Sequence, residues 1–201
     1  MPLSKEERNR KAREKYHHNK GIIDEHKLSH PCSCGESDIR CLEFHHRDPS
    51  IKSFEISNKG KYKSEEILVA EIGKCDVLCK NCHMKTHKGY APEIKLEELI
   101  EEITNQLSGK LDKLERRRLY RNRQKYIAKM YVRDYKIEHN CKNCGEEESI
   151  CLTFHHRDGV EKEGKIPQLY KYGIKKITRE VEKCDLICHN CHSRHHHTLS
   201  V

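Results

Sequence analysis

Closely spaced cysteines occur in this chain as two matching sets, each built from two pairs. Cys79-x-x-Cys82 and Cys188-x-x-Cys191 can each present two thiolates to one ion from a single turn. Their upstream partners are Cys32-x-Cys34 and Cys141-x-x-Cys144. Four thiolates make a closed structural site, so the spacing predicts about two zinc ions per chain. His30 is an alternative ligand to Cys32, because the first upstream pair is one residue tighter than the second.

The remaining cysteines, Cys41, Cys75, Cys151 and Cys184, also occur at matching places. We interpret them as small buried apolar residues, with a metal role as the alternative. Disulfides are the alternative for all twelve cysteines. Close pairs beside histidines, in a chain without a signal-peptide pattern, favour zinc in a reducing compartment, so we expect the protein not to be secreted.

Histidines form a second repeated pattern of two adjacent residues followed later by two that are four apart. Residues four apart share one face of a helix. Three histidines could bind a divalent ion and leave coordination positions open, which is typical of a catalytic rather than a structural site, and the fourth could act as a base. The set comprises His45, His46, His83 and His87 in the first copy and His155, His156, His192 and His196 in the second.

Both patterns belong to a tandem duplication of a whole unit. Cys41-Leu-Glu-Phe-His-His-Arg-Asp48 recurs as Cys151-Leu-Thr-Phe-His-His-Arg-Asp158. The same spacing of 110 residues aligns Tyr16 with Tyr126 upstream, so each copy is a basic arm followed by a Cys/His module. A period of this length is typical of a domain rather than of a solenoid repeat.

Helices and a short hairpin are predicted to position these residues. Ser4 and Glu7 form the pattern of a capping box at the start of a basic helix that ends near Gly21. Residues 40–46 and 52–57 alternate around an Asp-Pro-Ser turn and predict a β-hairpin. Short helices are expected over 64–73 and 82–88.

An acidic amphipathic helix over 92–111 and a basic helix over 111–138 are predicted to join the two copies. We therefore expect a basic helical arm over 1–30 and a first module over 31–88. The linker and second arm then occupy 89–140, and the second module 141–201.

Composition limits the class of protein. The chain has 201 residues, 34% of them hydrophobic, and no tryptophan, so each copy needs a metal to supplement a small core. No apolar run is long enough to span a bilayer, and we expect no membrane association.

The net charge of +8 is concentrated in a stretch that predicts a polyanion partner. Residues 116–133 hold eight basic residues and no acid, with tyrosines interleaved. We expect nucleic acid to bind here, with a solvated helix face as the alternative. The candidate residues are Arg116, Arg117, Arg118, Arg121, Arg123 and Lys125.

In this order, the motifs resemble the zinc-bearing HNH endonucleases of phages and bacteria. The resemblance is carried by Leu-x-Phe-His-His-Arg-Asp, a loop, and Glu-Ile-x-Lys-Cys-Asp-x-x-Cys-x-Asn-Cys-His with a further histidine. It covers roughly residues 28–88 and 138–197. It implies an α+β, small, metal-stabilised fold: two tandem ββα-metal modules, each with a zinc knuckle and a preceding basic helix.

The resemblance also implies roles. His46 and His156 correspond to the general base, His45 and His155 to strand ligands of the catalytic ion, and His83 and His192 to helix ligands. His87 and His196 match a third ligand found in part of the family. Arg47 and Arg157 could contact the scissile phosphate, the alternative being a solvated arginine paired with the next aspartate. Lys74 and Cys75 stand in a region where many relatives carry an asparagine.

The function implied is a metal-dependent DNA endonuclease, with one catalytic Mg²⁺, Mn²⁺, Ni²⁺ or Zn²⁺ per module. We expect double-stranded DNA as the partner and the cytoplasm of a bacterium or phage-infected cell as the location; protein partners are not predicted. One alternative is a non-catalytic zinc-dependent nucleic-acid-binding protein. The other is one active module beside one DNA-docking module.

Overall fold

The computed structural model describes residues 4–87 and 95–197 and has a mixed α+β architecture, which confirms the predicted class. Its contacts divide the chain into two units, Met1–Thr86 with Ser193–Val201, and His87–His192. Among the helices of these described ranges, none combines the length and apolarity needed to cross a membrane. The predicted boundary between residues 88 and 89 lies outside the described residues.

Each copy contributes the same series of elements, with α5 inserted between the two. The first series is α1 (Lys5–Ser29), β1 (Leu42–His46), α2 (Ile56–Lys59), α3 (Glu65–Ile72), β2 (Cys75–Cys79) and α4 (Lys80–Thr86). Then follow α5 (Leu96–Leu107), α6 (Lys113–Glu138), β3 (Leu152–His156), α7 (Ile166–Leu169), α8 (Ile174–Val181), β4 (Cys184–Cys188) and α9 (His189–His196). Short 3-10 helices lie at Pro49–Ile51, Gly60–Tyr62, Ser149–Cys151 and Tyr170–Tyr172.

Helix α1 begins where the sequence predicts but ends later. The Ser4 side chain accepts from the Glu7 N–H at 3.1 Å, and Glu7 accepts from the Ser4 N–H at 2.8 Å, so the capping box is confirmed. The predicted end near Gly21 is wrong, because the helix continues to Ser29. Ile23 lies beyond the glycine and is buried in the first core. Its burial contributes about 2 kcal/mol, which outweighs the cost of about 1 kcal/mol for glycine in a helix.

In the second halves of α1 and α6, equivalent residues are 109 positions apart, not the 110 of the sequence alignment. Ile23 and Val132 occupy equivalent buried positions. His26 stacks on His30 at 4.1 Å between ring centroids, and Tyr135 stacks on His139 at the same distance. The spacing returns to 110 downstream because Cys141-x-x-Cys144 is one residue longer than Cys32-x-Cys34.

The β-hairpin of each unit is formed by strands far apart in the sequence. β1 pairs with β2 so that Phe44 lies opposite Val77 and His46 opposite Cys75, and β3 and β4 pair in the same register. The predicted strand over 52–57 is wrong. The N–H groups of Ser53 and Phe54 donate to a Glu71 carboxylate oxygen at 2.7 and 3.3 Å, so they are used outside a strand ladder.

In each unit, a small apolar core packs the hairpin against the arm helix, α1 in the first copy and α6 in the second. The first contains Ile23, Phe54, Ile56, Leu68, Ile72 and Cys75. The second contains Ala128, Val132, Ile166, Leu169, Ile177 and Val181. Phe44 and Phe154 of the histidine-bearing strands pack against these cores.

Helices α5 and α6 pack together within the second unit, with Leu96 and Ile103 of α5 buried. The predicted start of this linker helix at residue 92 lies outside the described residues. The helix ends at Leu107, before the predicted 111, and Asp112 then caps α6 by accepting from the N–H groups of Leu114 and Glu115.

Candidate metal centres and nucleic-acid interface

The predicted cysteine sets each converge on one point, with all four sulfur atoms within 4.8 Å of one another. Cys34 Sγ lies 3.7 Å from Cys79 Sγ, and Cys144 Sγ lies 3.6 Å from Cys188 Sγ. A tetrahedral zinc ion with Zn–S bonds of about 2.3 Å separates its sulfurs by about 3.8 Å. None of the twelve cysteines, all within the described residues, forms a disulfide. The sets are Cys32, Cys34, Cys79 and Cys82, and Cys141, Cys144, Cys188 and Cys191.

Backbone N–H groups donate hydrogen bonds to sulfur atoms in both clusters. The Cys188 N–H donates to Cys141 Sγ at 3.2 Å, and the Cys82 N–H donates to Cys79 Sγ at 3.4 Å. Burial alone would raise the pKa of Cys32 and of Cys141, but hydrogen bonds from backbone N–H groups outweigh it and lower both pKa values. A thiolate is the form that binds zinc, so the donor set fits about two zinc ions per chain.

The neighbouring residues support this ligand assignment. His30 Nδ1 lies 2.9 Å from the His26 carbonyl oxygen, while Cys32 itself belongs to the cluster. The four cysteines outside the clusters are buried, in agreement with their interpretation as apolar residues. Burial raises the pKa of Cys41, Cys75 and Cys184 to about 11, which keeps these thiols protonated.

The histidines form two further groups, each with ring nitrogens within 4.8 Å of one another. His45 on β1 meets His83 on α4 and His87 just beyond it; on β3 and α9 the equivalent residues are His155, His192 and His196. The ring centroids of His45 and His83 are 4.9 Å apart, and those of His155 and His192 are 5.2 Å apart. His155 also lies within this distance of Asp158 and His195. Their predicted role as ligands of a catalytic ion stays a prediction.

The next strand residue after His45 and after His155, predicted to act as the base, is held by a buried glutamate. His46 Nε2 lies 2.9 Å from Glu71 Oε1, and His156 Nε2 lies 2.7 Å from Glu180 Oε1. The side chains of Glu71 and Glu180 are 2% and 0% exposed. Both histidines are themselves nine-tenths covered, so these pairs are fixed parts of the fold.

Both glutamates are ionised. Burial alone would raise the pKa of Glu71, but hydrogen bonds from Lys74, the Ser53 N–H and His46 outweigh it and lower the pKa to about 2. Lys183 and His156 have the same effect on Glu180, whose pKa is also about 2. Lys74 and Lys183 thus stabilise the carboxylates that contact His46 and His156. Sequence reasoning missed these glutamates; their only signal was recurrence at matching positions of the duplication.

A second carboxylate missed by sequence reasoning contacts a candidate metal ligand. Glu43 Oε1 lies 2.6 Å from Nδ1 of His83, with both side chains partly covered. Burial alone would raise the pKa of Glu43, but the hydrogen bond from His83 outweighs it and lowers this pKa. Thr153 occupies the equivalent strand position in the second copy. The two histidine centres therefore differ in charge.

The arginines after the double histidines are used inside the chain. Arg47 donates to the Cys75 carbonyl and to Asp76 Oδ1, each at 2.8 Å, and to the Gly73 carbonyl. Arg157 makes the equivalent contacts with Cys184, Asp185 and Glu182. These contacts stabilise the hairpin. The predicted contact of Arg47 and Arg157 with phosphate stays a prediction.

The basic residues of α6 fall into two groups. Arg116 donates to the Leu107 carbonyl at 2.9 Å, and Arg123 donates to Thr104 Oγ1 at 2.8 Å, so these residues face α5. Arg117, Arg118 and Arg121 are exposed, and Tyr120 is exposed beside them. Lys125 Nζ lies 6.0 Å from the centroid of the Tyr126 ring. The exposed group joins cations to an aromatic ring, a combination suited to nucleic acid.

Comparison of the chain with protein-family models, with curated proteins and with solved structures gave no match.

Proposed function

We propose that this protein is a metal-dependent DNA endonuclease of the HNH type, with one candidate catalytic centre in each copy. One observation carries the proposal: each hairpin and its following helix bring three histidines together, and the next histidine along the same strand is hydrogen-bonded to a buried carboxylate. The same arrangement occurs in both copies, which favours a catalytic role over chance packing.

The contact with Glu71 supports one tautomer for the proposed base, His46. An ionised carboxylate only accepts hydrogen bonds, so neutral His46 must carry its proton on Nε2 and its lone pair on Nδ1. Nδ1 of His46, and Nδ1 of His156 by the same argument, would take the proton from an attacking water molecule. The carboxylate then stabilises the positively charged imidazole that results.

The three-histidine groups would hold the metal. Imidazole nitrogens suit Zn²⁺, Ni²⁺ and other transition ions, and three of them leave coordination positions open. The ion would act as a Lewis acid on the phosphodiester. The tetra-cysteine clusters would be separate structural zinc sites that hold α4 and α9 onto their hairpins.

Binding to DNA is assigned to the exposed arginines of α6. Such cations contact phosphates in any sequence, so they position the duplex without specifying a target. Double-stranded DNA is the proposed substrate.

Cleavage of supercoiled plasmid tests the proposal. Purified zinc-loaded protein is incubated with plasmid and Mg²⁺, Mn²⁺ or Ni²⁺, and EDTA serves as the control. Nicked or linear products that require the added ion support the proposal. Binding without cleavage under every metal would instead indicate a non-catalytic zinc-dependent nucleic-acid-binding protein. Cleavage abolished by His46→Ala and untouched by His156→Ala would indicate one active module and one docking module.

A further inference from the structure

One charged residue distinguishes the two histidine centres. Glu43 stands two positions before His45 on β1, so both side chains emerge on the same face of the strand. From there the Glu43 carboxylate reaches Nδ1 of His83 at 2.6 Å. Glu43 does not belong to the three-histidine group but contacts it through this ring.

The second copy carries threonine at this place. Glu43 lies opposite Leu78 in the first hairpin, and Thr153 lies opposite Ile187 in the second, which makes the two positions equivalent. A threonine hydroxyl is neutral and two bonds closer to the backbone than a glutamate carboxylate. The duplication has thus retained all four histidines of each copy while replacing, in the second, the glutamate that contacts the helical histidine of the first.

A carboxylate on one ring nitrogen changes how an imidazole binds a metal. Donation from Nδ1–H to Glu43 places the lone pair of His83 on Nε2 and fixes the orientation of the ring. The negative charge also makes the imidazole more basic. Removal of such a partner typically lowers metal affinity by about 10- to 100-fold.

We propose that Glu43 is a positioning residue of the first centre, and that it makes this centre the tighter of the two for divalent metal. The inference rests on the proposed metal role of the histidine groups. The first centre fills at lower metal concentration than the second, so one copy is loaded while the other is still empty. At low metal concentration only the first copy then cleaves, which yields nicked DNA. At high metal concentration both copies cleave.

The test measures metal binding rather than cleavage, in the full chain with zinc already at the cysteine clusters. His155→Ala with His192→Ala leaves only the first centre, and His45→Ala with His83→Ala leaves only the second. Ni²⁺ binding to each is measured by isothermal titration calorimetry. Glu43→Thr is then added to the first background and Thr153→Glu to the second, with zinc content and circular dichroism confirming that each variant is folded.

We expect the first centre to bind Ni²⁺ about 10-fold more tightly than the second, Glu43→Thr to remove this advantage, and Thr153→Glu to confer it. Equal affinities, or an unchanged affinity after Glu43→Thr, would overturn the inference while leaving the proposed metal sites intact. If neither background binds Ni²⁺, the histidine groups are not metal sites, and the inference and the proposed centres fail together.

Discussion

The Glu71 carboxylate lies 2.9 Å from Nε2 of His46, and the same pairing recurs at 2.7 Å between Glu180 and His156. Glu71 also accepts from Lys74 Nζ at 2.7 Å and from the Ser53 N–H at 2.7 Å. One buried carboxylate therefore joins the end of β1, the loop after it and the end of α3. This arrangement gives the histidine one orientation and one tautomer.

Replacing both glutamates tests their part in orienting the base. We expect Glu71→Gln with Glu180→Gln to lower the free energy of unfolding by about 2 kcal/mol, because the hydrogen bonds to a charged acceptor are removed. Under conditions where the variant is folded, kcat should fall by at least about 10-fold with little change in KM, because the base is misoriented while DNA binding is retained. Glu66→Gln, an exposed position on the same helix, is the matched control. Unchanged kcat in the double variant would contradict a role in orienting the base.

The same carboxylates predict how stability depends on pH. The pKa of Glu71 and Glu180 in the folded protein is about 2, lower than the ordinary value of 4.5. Stability contributed by these groups is therefore fully present above pH 4.5 and declines as the pH falls toward 2. Urea unfolding of the wild type and of the double glutamine variant should differ most near neutral pH. A difference that stays constant as the medium is acidified would refute the assignment.

The sequence predicted the convergence of the cysteine sets and of the histidine groups because much of this information lies in local spacing. Cys79 and Cys82 are three residues apart, and His83 and His87 are four apart, so the members of each pair can converge locally around the start and end of α4. Strand pairing was harder to predict. Residues 52–57 alternate like a strand, but Glu71 takes two of their N–H groups, and β1 pairs instead with Cys75–Cys79.

The carboxylates behind the histidines could not be identified from spacing. Glu71 sits on a helix that also carries the exposed residues Glu65 and Glu66, and nothing local marks it as buried. Glu43 looks like an ordinary polar position of an alternating strand. Their roles depend on contacts with His46 and His83 across the fold, which only tertiary structure supplies.

Cysteine substitutions on one strand separate zinc ligands from buried thiols. Cys75 and Cys79 both lie on β2, but only Cys79 belongs to a cluster. We expect Cys79→Ser to reduce bound zinc from about two ions per chain to about one and to destabilise the first unit, because zinc binding is coupled to folding. Cys75→Ser is the control and should retain both ions. In the second copy, Cys188→Ser and Cys184→Ser form the same comparison. Equal zinc content in all four variants, measured by elemental analysis, would disprove the closed sites.

The two groups of arginines on α6 predict different effects on DNA binding. Replacing Arg117, Arg118 and Arg121 with alanine should weaken binding to all sequences and reduce the slope of log K against log salt by about 1 for each phosphate that is no longer neutralised. Arg133→Ala is the control, because Arg133 already pairs with Glu97 at 2.5 Å and with Asp134 at 2.7 Å. Fluorescence anisotropy at several salt concentrations measures both. A larger decrease in affinity for the control than for the triple variant would place the interface elsewhere.

His46 and His156 are proposed as the bases of two metal-dependent nuclease centres, and the double variant His46→Ala with His156→Ala shows whether cleavage depends on them. Zinc content and metal-dependent plasmid cleavage are measured on the same preparation. We predict that the variant keeps about two zinc ions per chain, since these histidines lie outside the cysteine clusters, and that its cleavage rate falls by at least about 100-fold. Cleavage at the wild-type rate by folded, zinc-loaded double variant would contradict the account.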